Sequence, residues 1–267
     1  MATVNHALSQ HQKDFIARAQ HFRQYSPQEA FCDFLAIAMA DMRNAVGDPG
    51  LKGTGRTERE VEYLGIVHKY FPHDYREYPP GHAMRKDFEA LLALHEPWAQ
   101  AVAEDRFVEF FGEVAAELNI LQAGAGQFFT PVHVCQMIAK MTVELAEDPK
   151  GEPVSIGDPA CGSGRMLLEA ARAYADAGQE PGDRIVVCGT DISQVCYQMT
   201  TLQLWAAGIP AVTFWGNSLS PDPPYDRTIN GFTAMVWYRS KPRSDDQPAP
   251  APAPIPGPKV PQQQSLF

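Results

Sequence analysis

The chain has 267 residues, 45% of them hydrophobic, enough for one substantial core with a smaller appendage. Asp and Glu number 32 against 22 Lys and Arg, a formal net charge of -10, so bulk electrostatics oppose nucleic-acid binding and any such contact needs a local basic patch. Five cysteines with no CxxC and eight histidines never paired at ligand spacing argue against a disulfide framework and a structural metal, while a polar N-terminus and the lack of any apolar run near ~20 residues argue against secretion or a membrane anchor; the expectation is a reduced, cytoplasmic protein.

Residues 1–120 read as a helical region. Ser26 is an N-cap candidate with Pro27 at the first helical position and Glu29 in the first turn, and Phe31, Phe34, Leu35, Ala38 and Met42 follow at helical spacing. The loop GDPGLKGTG separates this helix from a second, opened by a Thr57–Glu60 capping box and carrying apolar Val61, Leu64, Ile66 and Val67. Two more amphipathic segments are expected over 84–95 and 106–118. From Val154 the period changes. VSIGD, RIVVCGTDIS and AVTFWGN read as strands, with GSGRMLLEAARAYADAG and QVCYQMTTLQLWAAG as the helices between them, which predicts βαβ units and a mainly parallel sheet. The expected division is a helical region over 1–120, an α/β core over 121–243 and a Pro- and Gln-rich disordered tail over 244–267.

The stretch DPACGSGRML joins the first strand to the following helix. Gly162 and Gly164 let the backbone approach a ligand closely and leave N–H groups pointing outward at a helix N-terminus, a site for the polar end of a nucleotide-like molecule. The spacing is neither GxGxxG nor GxxxxGK[ST], and a plain tight βα turn would look the same. Its company decides the weighing. Asp191 ends the second strand, where a carboxylate can accept both ribose hydroxyls, and Asn217 and Ser218 end the third beside the same crevice.

The ordered series GQFFTP, DPACGSGRML, GTDI and GNSL resembles the N6-adenine DNA methyltransferases related to the methylation subunits of type I restriction-modification systems. The resemblance implies a Rossmann-like core that binds S-adenosylmethionine (SAM), preceded by a helical domain. Phe129, Thr130 and Pro131 would flank the methionine end of SAM, with Asp158 and the backbone from Ala160 through Cys161, Gly162 and Ser163 to Gly164 cradling its amino and carboxylate groups. Asp191, with Ile192 beside it, would hold the ribose, and Asn217 and Ser218 would face the adenine. DNA would be the substrate, and a specificity subunit or a second methyltransferase subunit a partner.

The family's catalytic [ND]PP[YF] element has one match, Asp222, Pro223, Pro224 and Tyr225. There the polar side chain and prolyl carbonyl would accept hydrogen bonds from the target amine while the ring stacks on the flipped base. Only Ser220 and Pro221 separate it from GNSL, where the family places a further strand; the next strand-like run is FTAMVWY over 232–238, and the catalytic half looks truncated. The C-terminal Gln263, Gln264, Ser265, Leu266 and Phe267 resemble the short peptides that dock on the bacterial sliding clamp, with Gln263, Leu266 and Phe267 as contacts. Three functions stay open on these residues: an adenine-N6 DNA methyltransferase of a bacterium, plasmid or phage; a catalytically degenerate SAM- or DNA-binding subunit; and a methyltransferase acting on something other than DNA.

Overall fold

A computed structural model of the chain describes residues 8–47, 56–120, 130–145 and 153–230. The first helix, α1 (Gln10–Ala19), is started by a reciprocal cap between Ser9 and Gln12, a signal the sequence reading passed over. Helix α2 (Pro27–Val46) begins as expected at Ser26, whose hydroxyl accepts from the Glu29 N–H while Glu29 reaches back to the Ser26 N–H; it ends at Gly47, where φ is 69°. Helices α3 (Arg56–Tyr70), α4 (Ala83–Ala93), α5 (His95–Glu104) and α6 (Phe111–Glu117) follow, and Phe15, Phe31, Phe34, Trp98 and Phe111 interlock edge-on at their centre, all buried.

The segment expected to be helical over 106–118 is helical only from Phe111 to Glu117. Asp105 accepts from the Phe107 N–H and holds a turn, and the Phe110 and Phe111 N–H groups donate to the Gln203 side-chain oxygen at 2.5 and 3.0 Å, a tertiary partner in place of the missing helical turn. Helices α5 and α7 (Val132–Leu145) were likewise not expected.

Beyond α7 the chain builds β1 (Val154–Asp158), α8 (Arg165–Asp176), the short α9 (Pro181–Arg184), β2 (Ile185–Asp191), α10 (Gln194–Ala206), β3 (Ala211–Trp215) and β4 (Asp226–Ile229). The sheet order is β1-β2-β3-β4; the first three strands are parallel, with Asp158 opposite Gly189 and Asp191 opposite Trp215. Their C-terminal ends therefore lie along one edge, where α/β sheets bind ligands. Helix α10 has two buried sides. Its Tyr197, Met199 and Leu202 join the aromatic core of the helical region, while Leu204 packs with Leu167, Ile185 and Val187 of the sheet layer.

The fourth strand departs from the sequence reading. It is antiparallel to β3, with Trp215 opposite Asp226, and it is polar. Besides its ladder with β3 it is held by α2: Arg43 pairs with the partly buried Asp226 at 2.5 Å and donates to the buried Thr228 and Tyr197 hydroxyls. The strand-like run 232–238 and the tail with Gln263, Leu266 and Phe267 lie outside the described residues.

Candidate functional site

The loop after β1 is held from three directions. Asp158 accepts from the Ala160 N–H at 3.0 Å, the Cys161 N–H donates to the Thr190 carbonyl of β2 at 3.0 Å, and the Gly164 N–H closes a turn on the Cys161 carbonyl at 2.8 Å. Gly162 and Gly164 have φ of 56° and 90°, left-handed conformations that favour glycine. Thr200 of α10 donates its hydroxyl to the Gly162 carbonyl at 2.8 Å, and Gln203 donates to the Ser163 carbonyl at 2.5 Å, so one helix secures two consecutive loop carbonyls.

Asp191 joins this loop directly. One carboxylate oxygen accepts from the Gly162 N–H at 2.9 Å and the other from the Ser193 N–H at 2.8 Å. Each oxygen retains further acceptor capacity for hydroxyl donors. Burial holds this carboxyl above its ordinary pKa, partly offset by the N–H groups of Ser193 and Gly162. Burial also pushes the Cys161 thiol far up, so it packs as a neutral group.

At the third strand, the Gly216 N–H donates to the Asp191 carbonyl at 2.9 Å, which sets Asn217 and Ser218 beside the same edge; Asn217 accepts from the Leu219 N–H, and both predicted residues are exposed. Ile192 is 60% exposed, and its carbonyl accepts from the Trp215 indole. Thr130 and Pro131 also come to the loop: the Thr130 carbonyl accepts from Arg165, the residue directly after Gly164, at 3.1 Å. Phe129 lies outside the described residues.

Asp222 to Tyr225 form the exposed connection between β3 and β4. Asp222 and Ser220 bond to each other, Pro224 lies so near Gly216 that a Cβ there would meet it at 2.9 Å, and the Tyr225 ring stands edge-on to Trp215 at 5.3 Å. This turn belongs to the β3–β4 side of the sheet, with β2 between β3 and the strand that carries the glycine loop.

Sequence reasoning missed the ion cluster behind the loop. Arg165 donates to Glu109 at 2.6 Å and to Glu113, while Glu109 also accepts from the Gly112 N–H at 2.6 Å. Burial acts to lower the Arg165 pKa, but Glu109, then Glu113, outweigh it and hold it above its ordinary value. A signal was present: an arginine in the first helical turn opposes the helix dipole and calls for acidic partners, and Glu109 and Glu113 stand at i, i+4.

The residues suit a nucleoside bearing an amino-acid end. The N-terminus of α8, at Gly164, has no side-chain cap, so its first-turn N–H groups face the loop without a side-chain acceptor, and the Asp191 carboxylate stands across from it. Among the described residues no group of three or more His, Cys, Asp or Glu is placed to hold a metal ion.

Parallel strands, a glycine loop leading into an uncapped helix, and an acidic residue ending the second strand define a Rossmann-like core with its ligand edge at the strand ends. Residues 108–239, just under half of the chain, match the model of the N-6 DNA Methylase family, so this segment is similar to that family. A methylase subunit of the type I restriction enzyme MjaVIII from Methanocaldococcus jannaschii is 36% identical over 101 residues, which cover 37% of this chain and 16% of the relative. The match thus spans under a fifth of that protein's length. Among solved structures, a putative class I SAM-dependent methyltransferase from Listeria monocytogenes is similar at a TM-score of 0.35 with 15% identity, covering 72% of this chain and 55% of the other. A type I restriction-modification methyltransferase subunit from Streptococcus thermophilus has a TM-score of 0.33 and 13% identity, covering 81% and 59%. No helix among the described residues is long and apolar enough to cross a membrane.

Proposed function

We propose that this chain binds SAM and serves as an adenine-N6 DNA methyltransferase of the restriction-modification type. The observation that carries the reading is the direct bond between the Gly162 N–H and the Asp191 carboxylate, which brings together the two sequence elements assigned to the two ends of the cofactor. SAM supplies a methyl group on a sulfonium, electrophilic toward an amine. The uncapped start of α8 and the Cys161–Gly164 loop would hold its amino-acid end, Asp191 its ribose, and Ile192, Asn217 and Ser218 its adenine.

Two finer parts belong to the same reading. Asp222 to Tyr225 would engage the target adenine; the support is the tetrapeptide itself and its place near the ligand edge of β3. The relative is a methylase subunit, and a net charge of -10 leaves phosphate contacts best supplied by another chain, so we assign this one to an assembly in which a partner grips DNA. The terminal Gln263, Leu266 and Phe267 would recruit that assembly to the sliding clamp, a proposal supported by their sequence.

The test is transfer of a labelled methyl group from SAM to duplex DNA, RNA and protein in parallel, in lysate-purified complex as well as with the chain alone. Label in DNA N6-methyladenine is expected, lost in Asp222→Ala while calorimetric SAM affinity persists. A wild type that binds SAM yet labels only RNA or protein would overturn the DNA assignment.

A further inference from the structure

We propose that Arg165 is a positioning residue that fixes the Thr130–Pro131 segment against the glycine loop and so sets the width of the cofactor pocket; this rests on the SAM-binding reading above. Arg165 is the first residue of α8, 7% exposed, and its guanidinium reaches two separate segments through three acceptors. One nitrogen donates to the Thr130 backbone carbonyl at 3.1 Å, and the other to Glu109, ahead of α6, at 2.6 Å and to Glu113 within α6.

A cation in this place needs a reason. It opposes the α8 dipole and has left water, two costs that its carboxylate partners offset. A simple need for helix packing would have been met by an apolar side chain. What the guanidinium adds is a planar fork that satisfies acceptors in different directions from one fixed point.

The surroundings leave Arg165 little freedom. Glu109 is itself pinned by the Gly112 N–H, and a Cβ at Gly112 would stand 2.5 Å from Glu109 Oε1 and 2.7 Å from Ser163 Oγ, so α6 abuts the loop directly. Helix α7, which begins just after Thr130 and Pro131, meets α8 through Ala139, Ala170 and Ala173. Alanines bring the two helices close without interlocking them, which leaves register to polar contacts. Gln136 of α7 bonds to Glu169 of α8 further along, and the Arg165 bond to Thr130 is the polar contact at the end of the helix pair that faces the glycine loop.

The experiment compares Arg165→Lys with Arg43→Lys, an equally buried arginine in an ion-pair network on the β4 side of the sheet. Lysine keeps the charge but cannot fork. Calorimetry on the full chain is expected to show SAM affinity reduced about tenfold or more in Arg165→Lys and unchanged in Arg43→Lys, although both melt at lower temperature. Without SAM, amide hydrogen exchange over residues 132–136 should quicken in Arg165→Lys alone. Should Arg165→Lys not fold, Glu113→Gln, whose side chain is 28% exposed, carries the same expectation at about threefold. Wild-type affinity and exchange in Arg165→Lys would overturn the proposal alone, as would equal loss of affinity in both lysine variants, which marks a merely structural role. A folded wild type that binds no SAM would overturn the SAM reading itself, and the proposal with it.

Discussion

Gly164→Ala tests whether the glycine loop is shaped by its own backbone or by crowding from α10. Gly164 has φ of 90°, and a left-handed conformation costs an L-residue about 1–2 kcal/mol. A Cβ there would also meet Thr200 at 3.0 Å from its hydroxyl, 3.2 Å from its Cα and 3.2 Å from its methyl group. Because one of those atoms is helix backbone, α10 or the loop must shift, an overpacking cost of about 1–3 kcal/mol. The sum is about 2–5 kcal/mol, and for a chain of this size each kcal/mol lowers the melting temperature by roughly 2–4 °C. Gly208→Ala is the matched control: φ is 70°, yet nothing lies within 4 Å of its Cβ, so it incurs only the backbone cost. Urea unfolding followed by circular dichroism should place Gly164→Ala at least about 1 kcal/mol below Gly208→Ala. SAM affinity should fall as well, because Thr200 holds the Gly162 carbonyl. Equal destabilisation of the two variants would refute the crowding argument and leave backbone strain as the whole effect.

Three further outcomes are expected. Burial raises the folded-state pKa of Asp191, so its contribution to stability is fully present below the unfolded value and is lost as pH rises through the folded one. Wild type should therefore lose stability relative to Asp191→Asn as the pH is raised above the usual aspartate range, and a gap that stays flat in urea unfolding across that window would contradict a costly buried charge. Asp226→Ala removes the carboxylate that faces buried Arg43 and should destabilise by about 3–5 kcal/mol in the same assay while leaving SAM affinity unchanged. Deleting Leu266 and Phe267 should abolish binding to the purified bacterial sliding clamp and leave SAM calorimetry untouched; clamp binding that survives the deletion sinks the recruitment idea.

Local signals were enough for the elements that carry the glycine loop. Ser26, Pro27 and Glu29 mark the start of α2 because capping chemistry is complete within one turn. The β1, β2 and β3 runs and the glycine turn between β1 and α8 were legible for the same reason: period and punctuation are properties of neighbouring residues. The order of four motifs then placed Gly162 and Asp191 in one expected site, and the structure adds the hydrogen bond between them. The tertiary structure alone decided the rest. The strand Asp226–Ile229 is polar and short, and besides its ladder with β3 it is held by Arg43, far away in the chain, which meets Asp226 and Thr228 there. Residues 106–110 have helical spacing but do not form the helix: Asp105 takes the Phe107 N–H, and Gln203, far along the chain, takes the Phe110 N–H. The place of Arg165 in the first turn of α8 called for acidic partners, but only folding showed which ones, bringing Glu109, Glu113 and the Thr130 carbonyl around it. In each case a deciding partner is distant in sequence, and a buried polar group takes its meaning from the partner that satisfies it.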